Sequence, residues 1–247
     1  MFLELKNISK YFGAVRALHQ VNFHVEKGEV IGLVGDNAAG KSTLMKIISG
    51  AYTPDKGNIL LDGEERRWGS PREAREEGIE MLYQDFSLIP DLDVATNIFL
   101  GREPLMNLPG LNVINKDKME EDAITILKKL GLRLPPPDSP VKDLSGGQQQ
   151  AVAIARATGF DSRLVIMDEP TASLSAAAIE KLRRAIQNLK DQGVAVIIIS
   201  HRLEDIFETA DRVVVMKYGE IVGEREAHKT DEDEIVDMIV TGRDQVA

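Results

Sequence analysis

The sequence predicts an α/β fold built on a mainly parallel sheet, with a small antiparallel β layer and a helical subdomain. Three observations point there. Continuous apolar runs at residues 30–34, 164–167 and 195–199 lack polar alternation, as strands buried on both faces of a parallel sheet do. Each run is followed by a helical pattern, which makes βα units. The first 25 residues instead alternate, with Phe2, Leu3 and Leu5 and then Leu18, Val21, Phe23 and Val25 marking one buried face of an antiparallel pair.

The other elements follow in order. GNILLDG, residues 57–63, reads as a further short strand between turns. Leu44, Met45, Ile47 and Ile48 form a helical run closed by Gly50. A mostly helical stretch runs from about residue 93 to 160. Within it Ile124, Leu127 and Leu130 recur at helical spacing up to Gly131, a C-cap, and LPPPDSP is an extended connector. Ala151, Val152, Ile154 and Ala155 mark the next helix. Ile179, Leu182, Ile186 and Leu189 make an amphipathic stripe that stops before Gly193 and packs on the sheet. Residues 231–240 form a last helix with Thr230 as N-cap. The whole of residues 1–247 is expected to be one domain. Its β-rich lobe takes about 1–92 and 161–247, and its helical subdomain about 93–160.

Composition narrows the function classes. A chain of 247 residues buries about 70–75% of its unfolded surface, enough for a core without disulfides or metal. There is no cysteine, hence no disulfide framework or thiolate metal site. MFLELKNISK has no signal-peptide core, and no apolar run approaches the ~18–20 residues that span a bilayer. A soluble protein is expected, with any membrane role reached through a partner. The net charge of −10 opposes nucleic-acid phosphates, so nucleic acid is not an expected partner.

One loop carries a specific chemistry. Gly35, Asp36, Asn37, Ala38, Ala39, Gly40, Lys41 and Ser42, followed by Thr43, fit G-x-x-x-x-G-K-[ST] between an apolar strand and a helix. The glycines let backbone N–H groups converge on phosphate oxygens, and the helix N-terminus adds about half a positive charge. Lys41 is expected to reach the β- and γ-phosphates and Ser42 to ligate Mg²⁺. Ala38 stands where glycine is often found, and the reading here is that it needs no positive φ.

LVIMDE ends a buried strand in Asp168 and Glu169. Alone, the pair would serve equally well as a solvated turn. Beside the phosphate loop, Asp168 becomes a candidate for the Mg²⁺ shell and Glu169 for the base that deprotonates an attacking water, a role worth about 10²–10⁴-fold. Gln84 by itself would be a surface amide, and His201 a structural histidine.

Ser145, Gly146, Gly147 and Gln148 open a second helix with a second phosphate-binding end. One nucleotide cannot readily use two such ends of one subunit, so the second suits a nucleotide held by another. With LSGGQ beside GDNAAGKS and LVIMDEP, the chain resembles the ATP-binding-cassette (ABC) family from about residue 3 to 242. The resemblance implies a RecA-like P-loop core and an ATPase that works as a head-to-tail dimer on ATP and Mg²⁺. It makes Phe12 (in KYFG, with Tyr11 the lesser candidate) the aromatic that stacks on adenine. Gln84 becomes the glutamine that touches Mg²⁺ or water and senses a transporter, and His201 the contact to the γ-phosphate. Ser145, Gly147 and Gln148 would act across the dimer. In PTASLSA, Ser175 replaces the aspartate many relatives carry, which removes the usual cross-dimer carboxylate.

PTASLS, YQDFSLIPDLDVATNIFLGREP and ISHRLEDIFETADRVVVMKYG are similar to the ATPases of monosaccharide importers. That implies a homodimer at the cytoplasmic face of the membrane, held by transmembrane permease subunits and served indirectly by a solute-binding protein. The alternative is a non-transport ABC ATPase with a nucleic-acid or assembly role. Such proteins usually carry coiled-coil insertions, tandem cassettes or basic surfaces, and none is visible.

Overall fold

The computed structural model describes residues 1–82, 88–108, 111–129, 136–171 and 175–244. The chain opens with β1 (Leu3–Phe12), β2 (Val15–Val25), β3 (Val30–Gly35) and α1 (Lys41–Ile48). It continues through β4 (Lys56–Leu61), β5 (Glu64–Arg66), α2 (Pro71–Glu76) and β6 (Ile79–Leu82). Next come α3 (Val94–Phe99), β7 (Leu105–Leu108), β8 (Leu111–Ile114), α4 (Lys116–Lys129) and α5 (Gly146–Thr158). Then follow β9 (Leu164–Asp168), α6 (Ala176–Asp191), β10 (Ala195–Ile199) and α7 (Leu203–Phe207). β11 (Arg212–Lys217), β12 (Glu220–Glu226) and α8 (Glu232–Thr241) complete the order.

Six strands form the central sheet in the order β12-β11-β3-β10-β9-β6, parallel except for β12. The apolar runs are thus parallel strands covered on both faces. Val30 and Val34 point into one core, shared with α3, α4, α5, α6 and α8. Ile31 and Leu33 point into the other, filled by α1 and the antiparallel sheet β2-β1-β4-β5. Alternate residues of one strand serve two cores, so no polar position survives between them.

Five local expectations change. The helical stretch contains an antiparallel hairpin, β7–β8, paired Leu105↔Ile114 and Met106↔Val113. β5, β6, β11 and β12 were not anticipated, because β5 and β6 are short and β12 alternates weakly. On α4 the buried face is Met119, Ala123, Ile126 and Leu127, while Ile124 is only half-buried; Leu130 and Gly131 lie outside the described residues. The N-cap of α8 is Asp231, whose carboxylate accepts from Glu234 N at 2.9 Å. Thr230 instead donates its hydroxyl to the Glu234 carboxylate at 2.5 Å. Ala38 has a positive φ, treated with the site below. The stripe of α6 is buried as expected, and Gly193 follows it in a left-handed conformation. No described helix is long and apolar enough to cross a membrane.

Candidate functional site

The phosphate loop hangs between β3 and α1 and is shaped by two close approaches. At Gly35 (φ 148°) a Cβ would lie 2.1 Å from the Met216 carbonyl oxygen. At Gly40 (φ 105°) it would lie 2.9 Å from the Leu18 side chain. Only glycine allows both. Gly40 also caps α1 without any side chain, which leaves the first-turn N–H groups turned toward the loop. Gly219 N donates to Ala39 O at 2.9 Å, so the β11–β12 turn braces the loop from behind. That support was missed in the sequence, where only the glycine of MKYGE hinted at it.

Ala38 adopts φ +63°, against the expectation that it needs no such conformation. The backbone must curl at this point whatever residue stands there, and alanine accepts the left-handed region at a steric cost. Lys41 is buried and folds back on the loop, donating to Gly35 O at 2.7 Å and Asp36 O at 2.9 Å. Burial lowers its pKa, while Glu169, Asp168 and Asp36 pull the other way. A desolvated ammonium inside a ring of backbone dipoles is ready to exchange carbonyl oxygens for phosphate oxygens. Ser42 and Thr43 follow in the first turn, with Ser42 exposed.

β9 and β10 bring the candidate carboxylates and His201 to one edge. They run in parallel register with Asp168 opposite Ile199, so Glu169 and His201 emerge together at the strand ends. Glu169 takes φ +49°, and its N–H donates to Ile199 O at 2.9 Å, which turns its side chain across β10. His201 N donates to Glu169 Oε2 at 3.4 Å, and His201 Nε2 stands 3.2 Å from Oε1. That second approach is close electrostatically but lacks hydrogen-bond alignment, leaving Oε1 with an unused lone pair. Burial raises the pKa of both Asp168 and Glu169; Lys41 is the chief opposing charge at Asp168 and His201 at Glu169. A cation beside Asp168 would relieve that burden.

The remaining candidates lie apart. Ser145, Gly146 and Gly147 form an exposed tip at the start of α5. There Ser145 N and its hydroxyl both donate to Gln148 Oε1 at 2.9 Å. A Cβ at Gly146 or Gly147 would meet nothing within 4 Å. Among the described residues no hydrogen bond or ion pair joins this tip to the phosphate loop. Phe12 is 42% exposed at the end of β1 and packs edge-on against Tyr52, with ring centroids 5.2 Å apart. Gln84 lies outside the described residues. Ser175 is the N-cap of α6 and, among the described residues, only its carbonyl accepts, from Ala178 N and Ile179 N.

Residues 18–172 match the ABC transporter family, more than half of the chain and spanning both helix starts. The chain belongs to the ABC transporter family. Its ATPase cassette is similar at 44% identity to the xylose/arabinose import ATP-binding protein of Sulfolobus acidocaldarius, over 97% of this chain and 94% of that protein. It is 44% identical to the ribose import ATP-binding protein of Geobacillus kaustophilus over 96% of its own length, but spans only 48% of that relative. With the galactose/methyl galactoside import ATP-binding protein of Photobacterium profundum it shares 41%, again over about half, 48%, of the relative. A nucleotide-free ATP-binding cassette from an ABC transporter superposes with TM-score 0.82 at 29% identity, covering 97% of this chain and 95% of that one. A dimeric post-hydrolysis ATP-binding cassette bound to ADP and phosphate gives 0.76 at 27%, covering 91% and 98%.

Proposed function

We propose that this chain is the ATP-hydrolysing subunit of an importer, with a sugar as cargo. Two protomers pair head to tail so that each triphosphate lies between the Lys41 loop of one and the Ser145 tip of the other. One observation carries this reading: a single protomer presents two phosphate-cradling helix starts on separate parts of the fold, one buried and lysine-loaded, the other bare and exposed. The names of the import ATP-binding relatives support the cargo class. Permease subunits, and indirectly a solute-binding protein, are the partners, at the cytoplasmic face of the membrane.

Phe12 offers an exposed ring for the base. Lys41 leaves the loop carbonyls for the β- and γ-phosphates and neutralises charge there. Ser42 and Asp168, with Gln84, would hold Mg²⁺, which supplies positive charge on the phosphate oxygens. Glu169 takes the proton of a water whose oxygen bonds to the γ-phosphorus as the bridging P–O bond breaks, yielding ADP and phosphate. His201, beside Glu169, orients that base and faces the γ-phosphate. Positioning and charge do most of this work, as in phosphoryl transfer generally. Ser145, Gly146, Gly147 and Gln148 add donors from the partner, so closure completes the site.

Co-expression with the neighbouring permease tests the reading: a membrane-bound complex with permease-dependent ATPase activity is expected. A chain that stays in the soluble fraction, hydrolysing ATP regardless of permease, would sink the importer assignment. A DNA or ribosome gel shift, expected to be blank, separates it from the non-transport alternative.

A further inference from the structure

We infer that Glu80 and Arg102 are positioning residues that set where the Ser145 tip stands relative to the phosphate loop. Glu80 lies on β6, the edge strand beside β9, and is 5% exposed. Arg102 Nη2 stands 2.7 Å from Glu80 Oε1 and 2.8 Å from Oε2. The same guanidinium lies 4.3 Å from the centroid of the Phe160 ring, just beyond α5. Phe160 in turn meets Phe99 edge-on, at 5.1 Å and 90°, and Arg102 N donates to Phe99 O at 2.7 Å. One planar cation therefore joins the catalytic sheet, the end of α3 and the base of α5.

The arrangement acts as a lever. α5 has 13 residues and so is about 20 Å long, and a tilt of about 3° at its base moves the Ser145 tip by about 1 Å. A misplacement of about 1 Å in a catalytic constellation costs up to about 100-fold in rate. The clamp lines a groove of about 290 Å³ between β6 and α5, which Arg75 and Arg156 also line. Ala153 and Ala157 of α5 line it too. A buried ion pair is weak evidence for stability but fits a geometric role, because a planar guanidinium accepts few orientations against both a carboxylate and a ring.

The inference rests on the head-to-tail reading, yet part of its test does not. The chain has no cysteine, so spin labels at Asp143→Cys and Lys181→Cys, both exposed, report the position of the tip in the nucleotide-free protomer. In Arg102→Met and in the milder Glu80→Gln, the label distance should shift or broaden by about 1–2 Å, the product of the lever. With the native Glu169, kcat should fall about tenfold or more while single-protomer Mg-ATP affinity stays within about twofold. An unchanged label distance overturns the inference. So does nucleotide affinity that falls in step with Tm, since that marks a purely structural pair. Failure of the head-to-tail reading is separate: it would appear as Glu169→Gln protein staying monomeric with ATP while the label distance still responds to the clamp.

Discussion

Ala38, in the loop between β3 and α1, and Glu169, at the end of β9, bear side chains yet adopt left-handed backbone. Such conformations cost about 1–3 kcal/mol each and persist where surrounding structure over-determines them. At Glu169 the strain has a use, because the same turn aims the carboxylate beneath His201. Glu169→Gln should keep ATP binding, lower hydrolysis about 10²–10⁴-fold and accumulate a dimer on gel filtration. Unchanged turnover would remove Glu169 from the role of base. At Ala38 no such use is evident, and Ala38→Gly should raise unfolding stability by about 1 kcal/mol in a denaturant titration. A lower midpoint would show that glycine's unfolded-state entropy outweighs the relief. Gln84 and His201 illustrate the limit of single letters: neither has a role until a strand end or a motif supplies one.

Among the elements, β6 and α5 are the informative pair. Burial raises the Glu80 carboxyl above the usual glutamate range, opposed by Arg102 first and by Arg75 and Arg156 behind it. A carboxyl with a raised folded-state pKa holds its proton more tightly when folded than when unfolded. The stability this contributes is complete below the unfolded value of 4.5 and is lost as pH climbs through the raised value. Glu80→Gln carries no charge at any pH, so its stability relative to the parent should rise from pH 4.5 toward neutrality, as read from urea midpoints. A difference that falls across that window would mean Arg102 outweighs burial. The strands that escaped notice are also instructive. β11 buries four apolar residues, as β3 does, but it is bounded by Arg212 and Lys217 and leads into a turn with no motif to mark it.

At the scale of the molecule, the proposed head-to-tail site needs a second copy to bring a Ser145 tip to each phosphate loop. Among the described residues nothing stands within 4 Å of a Cβ placed at Gly147, so Gly147→Val should fold with an unchanged or higher Tm. It should nonetheless block the close approach of a partner's phosphate. Scattering on Glu169→Gln/Gly147→Val protein with ATP should then show protomers, where Glu169→Gln alone shows dimers. A dimer that survives the valine would place the contact elsewhere.

The phosphate loop, the paired carboxylates and the signature turn were legible in the sequence because each needs particular residue types at fixed spacing next to a recognisable strand or helix. The buried parallel strands were legible because covering both faces erases alternation. The tertiary structure alone decided what comes together from afar. It set Gly219 behind Ala39, Glu169 beneath His201 through the β9–β10 register, and Arg102 between Glu80 and Phe160. Such pairings depend on strand order and helix packing, which local periodicity does not encode. The sign of φ at Ala38 was settled likewise, by the path the backbone must take between β3 and α1 and not by the residue that occupies it.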